Sequence, residues 1–181
     1  MYTRKKYLIV DGYNVLRSGE RYKNIVGPDY THEAINRARE VLINDVISFS
    51  NAQYSKAVIV FDGAGNINSN GEPQNIGGIS VIFSEAGSSA DKVIEKLAHS
   101  AKEKGIETIV VTSDAGTQDT VFGGGVDRMS ANGFCLEMET HIEQTQLNEV
   151  PKANYKNTIS DRIDSNTLDK LKALRDSWHN A

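Results

Sequence analysis

The sequence predicts an α/β layered fold with a mostly parallel central sheet, and three observations carry that prediction. Short apolar runs rich in β-forming residues recur at Tyr7–Val10, Ala57–Phe61, Ile79–Phe83 and Glu107–Thr112. They are too continuously apolar for strands with one wet face and read as strands covered on both sides. Between them lie stretches with apolar residues at three- and four-residue spacing, the period of a helix packed on a sheet. Three of the runs stop on or next to a carboxylate, as in Val10-Asp11-Gly12, Phe61-Asp62-Gly63 and Thr112-Ser113-Asp114.

The first strand, ending at Asp11, is followed by a polar stretch from Arg17 to Gly27 that contains Arg21 and Lys23 and reads as a loop. A helix is predicted to start within Pro28–Glu33, capped by Thr31 or Asp29. Its sheet-facing stripe is Ile35, Ala38, Leu42, Val46 and Phe49, which leaves Arg37, Arg39 and Glu40 on a solvated face. After the second strand, residues 64–78 turn to Gly, Asn, Ser and Pro without periodicity, a length of loop that is uncommon unless functional or disordered. The third strand, Ile79–Phe83, leads to a helix capped by Ser88 or Ser89, with Val93, Ile94, Leu97, Ala98 and Ala101 on one face and a stop at Gly105. In that frame Asp91 lies in the first turn, with Glu95 one turn further on the same face.

After the fourth strand, a short helix is expected to run toward Gly123-Gly124-Gly125, and a longer one to cover Met129–Asn148. Val150–Ser160 reads as a linker or flap, and Leu168, Leu171, Leu174 and Trp178 mark a terminal amphipathic helix. The expected organisation is one domain over residues 1–149, with 150–181 as a linker plus a helix docked on it.

Composition narrows the class. The single cysteine, Cys135, has no disulfide partner within the chain and no metal-ligand spacing, which fits a reducing compartment. No apolar run approaches a membrane span and the amino-terminal run is too short for a signal-peptide core, so a soluble cytoplasmic protein with no membrane partner is expected. The net charge of −4 alone argues against a polyanionic partner, but its distribution does not. Residues 61–149 hold five Lys/Arg against fourteen Asp/Glu, whereas residues 1–60 hold nine against six and residues 150–181 six against four. An acidic centre with basic flanks suits an enzyme whose carboxylates hold a cation while Lys/Arg hold phosphates, although solvated helix faces produce the same count.

Asp11, Asp62 and Asp114 end strands and Asp91 opens a helix above the same sheet edge, so the four are expected to converge where open α/β sheets place their sites. Close carboxylates repel, and Mg2+ or Mn2+, which take oxygen ligands, would relieve that repulsion. Water driven in line at a phosphodiester there would leave a 5′-phosphate without using a 2′-hydroxyl. Each residue also has a structural reading. Asp11 and Asp62 precede glycine as in strand-end turns, Asp91 suits a helix dipole, and Asp114 suits a cap. Asn14 fits either a phosphate or water contact or an Asx turn, and Thr112 and Ser113 fit either phosphate donors or caps. Glu95 reads as solvated. His32, His99, His141 and His179 show no ligand spacing, and no Walker or dinucleotide fingerprint is present.

Val10-Asp11-Gly12-Tyr13-Asn14-Val15, Val60-Phe61-Asp62, Ser89-Ala90-Asp91-Lys92-Val93-Ile94-Glu95 and Thr112-Ser113-Asp114 with Arg128-Met129-Ser130-Ala131 resemble the bacterial YacP-like group of NYN-domain proteins, relatives of PIN and FLAP nucleases. The resemblance implies a PIN-like three-layer α/β/α domain and a Mg2+- or Mn2+-dependent endoribonuclease acting on messenger RNA, with the translating ribosome as a partner. It implies Asp11, Asp91 and Asp114 as catalytic metal ligands, with Asp62 adjacent. Asn14, Ser113, Arg17 and Arg128 are expected to contact substrate, and Tyr13, Tyr22 and Tyr30 are candidates for stacking on bases. One departure is Thr117, where the family pattern implies an acidic residue; Asp119 is the nearest substitute. Two competitors remain. One is a non-catalytic RNA- or ribosome-binding module, which Thr117 favours. The other is a phosphatase of the haloacid-dehalogenase kind, which would need an Asp at the position of Tyr13.

Overall fold

The four apolar runs all form strands, three of them within one residue of their expected bounds and the second starting three residues earlier, at Tyr54. Residues 6–63, 69–113 and 123–149 are described from a computed structural model. The elements among them are β1 (Lys6–Asp11), α1 (Gly12–Ser18), α2 (Glu20–Val26), α3 (His32–Gln53), β2 (Tyr54–Phe61), β3 (Gln74–Ile76), β4 (Ile79–Phe83), α4 (Ala90–Glu103), β5 (Thr108–Val111), β6 (Val126–Met129) and α5 (Ala131–Glu149). The chain divides into two units, Met1–Gln144 and Thr145–Ala181, and the architecture that follows is that of the first. The expected short helix after Asp114, the flap and the terminal helix lie outside the described residues.

The sheet order is β3-β4-β2-β1-β5-β6, parallel throughout except for the antiparallel edge strand β3. Successive side chains of β1 point to opposite faces. Leu8 and Val10 join one core with Leu42, Val46 and Phe49 of α3 and Phe134 and Met138 of α5. Tyr7 and Ile9 join a second core with Ile94, Ala98 and Ala101 of α4. Both faces are therefore covered, which is why these strands carry no alternation of apolar and polar residues. The caps follow the sequence: Thr31 Oγ1 accepts from Ala34 N at 3.2 Å, and Ser89 Oγ accepts from Lys92 N at 3.4 Å.

Four expectations are corrected. Residues 17–27 are not a loop: α1 and α2 lie there, and Val15, Leu16 and Tyr22 are buried in the first core. Residues 74–76 form β3 within the expected loop, paired through Asn75 with Ser80 of β4. The stretch before α5 is β6, in register with β5 through Arg128 and Val110, so the last described helix starts at Ala131 and not at Met129. Arg39 is not simply solvated, because its guanidinium lies 5.2 Å from the ring centre of Phe83 and 5.9 Å from that of Phe61.

A buried polar clamp ties α2 to α3. Asp45 is 9% exposed, accepts from the Tyr22 hydroxyl at 2.9 Å and from Arg21 Nε at 2.9 Å. Burial first, then the charge of Asp45 and its hydrogen bond, push the Tyr22 phenol far above its usual range. Replacing Asp45 by Ala leaves that phenol buried without its acceptor, and urea unfolding should show a loss of about 2 kcal/mol, partly restored by adding Tyr22→Phe.

Cys135, 3% exposed on α5, behaves as a small apolar residue; burial raises its thiol to about 11. Burial likewise raises Tyr7 to about 12. Both groups are neutral when protonated and lie above their ordinary values of 9.0 and 10.0, so their contribution is full below those values and is lost as pH rises through the folded ones. The urea midpoint should therefore fall between about pH 9 and about pH 12, and iodoacetamide at about pH 8 should label Cys135 only in denaturant. Rapid labelling of the native protein would contradict this packing.

Candidate active site

Chain connectivity places a crevice at the carboxyl ends of β1 and β5. From β1 the chain moves outward to β2 through helices on one face, then returns from β4 to β5 through α4 on the other. Strands that neighbour each other at such a reversal leave a gap beyond their carboxyl ends, where ligands bind in open α/β sheets.

Asp11 ends β1 and caps α1, with extended backbone at φ −75° and ψ 103°. The residue is 5% exposed, and its carboxylate accepts from Asn14 N at 3.1 Å and from Asn14 Nδ2 at 2.5 Å. Among the described residues no lysine or arginine pairs with it. Asn14 Nδ2 also approaches Thr112 Oγ1 at 3.5 Å, joining the end of β1 to the end of β5. Gly12 permits this entry into α1, since a Cβ there would overlap the Phe61 ring.

The end of β2 is pinned to the end of β4. Ser84 N donates to Phe61 O at 2.9 Å, Gly63 N donates to Ser84 Oγ at 2.9 Å, and Ser69 Oγ donates to Gly63 O at 3.2 Å. A Cβ on Gly63 would overlap the Ser84 carbonyl oxygen. Asp62 is held within this junction, half-buried. Arg39 lies over the two rings beneath it, Phe61 and Phe83, which themselves stack with centres 5.4 Å apart.

Asp91 stands in the first turn of α4 behind the Ser89 cap, half-buried, as does Glu95 one turn on. Ser113 Oγ accepts from Ala131 N at 3.2 Å and so fastens the end of β5 to the start of α5, while its hydrogen remains to donate. Arg128 Nε donates to Thr112 O at 3.2 Å, bracing the same strand end from β6. Arg17 is exposed on α1, one turn beyond Asn14 on the same side.

The structure thus gathers Asp11, Asn14, Thr112, Ser113 and Arg128 around one corner and sets Asp62 at the neighbouring strand end. Asp114, Thr117 and Asp119 lie outside the described residues. Among the described residues no three His, Cys, Asp or Glu side chains come together as a metal-holding group. The donors at hand nevertheless suit a hard divalent cation: Asp11, Asp62 and Asp91 offer only oxygens, and Asp11 is a buried anion lacking a cationic partner among the described residues. Arg39 and Ser84 were not expected at the site. A helical wheel registers Arg39 only as off the apolar stripe, and Ser84 is recognisable only once β2 and β4 are paired.

The comparisons agree with this fold. The YacP-like NYN domain family matches residues 8–176. Uncharacterized protein YacP from Bacillus subtilis (strain 168) is 32% identical over 133 residues, covering 74% of this chain and 75% of the relative. The crystal structure of Rae1 (YacP) from Bacillus subtilis superposes with a TM-score of 0.65 at 26% identity, covering 97% of this chain and 98% of that one. The crystal structure of a single-substitution mutant of that same Bacillus subtilis protein superposes with a TM-score of 0.62 at 30% identity, covering 78% of this chain and 79% of that one. With a PIN-like nuclease fold, a match over nearly its whole length and an aspartate at the crevice of its sheet, this chain belongs to the YacP-like NYN domain family.

Proposed function

We propose that this protein is a metal-dependent endoribonuclease that hydrolyses RNA phosphodiester bonds, with messenger RNA engaged by the translating ribosome as its substrate. The observation that carries this reading is Asp11. It is 5% exposed, has no lysine or arginine partner among the described residues, and ends β1 at the mouth of the sheet crevice, where a divalent cation would supply the missing positive charge. Asp11, Asp91 and Asp114, with Asp62 beside them, are the residues that would hold Mg2+ or Mn2+. A divalent cation bound there stabilises charge on the phosphodiester and favours ionisation of an attacking water.

The chain's own residues supply the rest. Asn14, locked between Asp11 and Thr112 by its two amide hydrogens, keeps the carboxylate in one orientation and leaves its carbonyl oxygen to accept from water or a ribose hydroxyl. Ser113 donates its hydroxyl hydrogen to a phosphate oxygen while its lone pair holds α5. Arg17, Arg39 and Arg128 surround the strand ends with positive charge for the neighbouring phosphates. In-line attack by water breaks the P–O3′ bond and leaves a 5′-phosphate. The competing reading, an RNA- or ribosome-binding module without catalysis, is favoured by Thr117 alone.

End-labelled RNA, free and in translating ribosomes, should be cut by wild type with magnesium or manganese and not with chelator. Asp11→Asn should lower cleavage by at least about a hundredfold while preserving the thermal unfolding midpoint. Full activity in that variant would end this mechanism, and RNA or ribosome binding without cuts in any condition would transfer the assignment to the binding module. Asn14→Ala should retain binding but slow cleavage by about tenfold, because the carboxylate loses the side-chain amide that holds its orientation.

A further inference from the structure

Beside the strand-end corner, α1, α2 and the start of α3 line a pocket of about 140 Å³, of which the proposed hydrolytic machinery draws on Arg17 alone. Its floor is apolar, formed by Leu16, Val26 and Ile35, and two tyrosines, Tyr13 and Tyr30, line it. Tyr13 is fixed edge-on against Phe61, with ring centres 5.4 Å apart. Tyr30 is 67% exposed and sits at φ 46°, a left-handed backbone that a bulky residue seldom adopts. The remaining two lining residues are cations, Arg17 and Lys23. Arg17 has no ion pair among the described residues, and Lys23 is paired only with Glu20, whose side chain is 78% exposed, a surface contact that a phosphate can replace at little cost.

We infer that this pocket is a nucleobase subsite, holding one base of a single-stranded RNA between Tyr13 and Tyr30 with its flanking phosphate on Arg17 and Lys23. The inference rests on the RNA reading above and extends it. Two aromatic walls and an apolar floor suit a flat heterocycle, and two cations at the same opening suit the phosphate that every nucleotide carries. An uncharged apolar peptide would leave Arg17 without a partner and give Lys23 none beyond Glu20. The subsite shares α1 with the candidate active site: Tyr13 precedes Asn14, and Arg17 lies one helical turn beyond it. A base held there belongs to a nucleotide close to the one whose phosphate faces Asp11, so the pocket would fix the register of cleavage.

The test uses the full chain carrying Asp11→Asn, which blocks turnover, and a fluorescein-labelled oligoribonucleotide of about 12 nucleotides in which a single abasic position is moved along the strand. Anisotropy titrations should show one position, or two adjacent ones, where loss of the base weakens binding by about tenfold. Adding Tyr30→Ala should weaken the intact strand by a similar factor and abolish the abasic penalty at that position, whereas Tyr30→Phe should restore both. Because Tyr30 is largely exposed, its variants should keep the parent's unfolding midpoint. Salt-sensitive binding in which every abasic position behaves alike, or a penalty that persists in Tyr30→Ala, would overturn the subsite and leave the RNA reading standing. If the intact oligoribonucleotide does not bind at all, the subsite falls, and the RNA reading is then decided separately by the cleavage assay in translating ribosomes.

Discussion

The structure depends on keeping one carboxylate buried at the end of its central strand. Two hydrogen bonds from Asn14, one from its backbone N–H and one from its side-chain amide, hold that carboxylate in place. Much of the surrounding geometry follows. The helix must begin immediately after Asp11 so that its first free amides reach the carboxylate. That tight exit requires Gly12, because Phe61 of the neighbouring strand occupies the space of any side chain. Asn14 then falls within reach of Thr112, and the two strands flanking the crevice are joined by a side-chain bridge and not by backbone pairing alone. The charge itself is left for the rest of the site to compensate.

Strands covered on both faces were legible because their apolar runs have no interruption, and α3 and α4 were legible because each spans enough turns for a stripe to repeat. The missed elements share a physical reason. Helices α1 and α2 have seven residues each, two turns apiece, too few for periodicity to stand out from the polar residues between Val15 and Val26. Strand β6, Val-Asp-Arg-Met, carries two exposed charges because it lies at the sheet edge, and the antiparallel strand β3, Gln-Asn-Ile, is exposed at all three positions. Within the site, Asp11 and Asn14 announce themselves by spacing, since a carboxylate three residues before an amide at a strand end makes a cap. Arg39 does not, because its role depends on two aromatic residues that come from different strands.

Charge at this site is a local matter. The ion pairs Lys6–Asp127 and Arg37–Glu33 join well-exposed side chains and contribute little to stability. Arg17, Arg39 and Arg128, from three different elements, instead border the strand ends where Asp11 and Asp62 lie. In a chain with a net charge of −4, the overall sum is therefore a poor guide to the charge at any one place on its surface.

The edge contact between Tyr13 and Phe61 has a thermodynamic consequence. Tyr13 has already surrendered its rotamer freedom to the core, so anything that packs on its outer surface does so without ordering that side chain again. Tyr30, with two-thirds of its surface in solvent, gives up its freedom only when something settles against it, at a cost of about 0.5–1.5 kcal/mol. One wall of the pocket is thus set in place by folding and the other is ordered anew at each encounter, a division that favours short residence over tight capture.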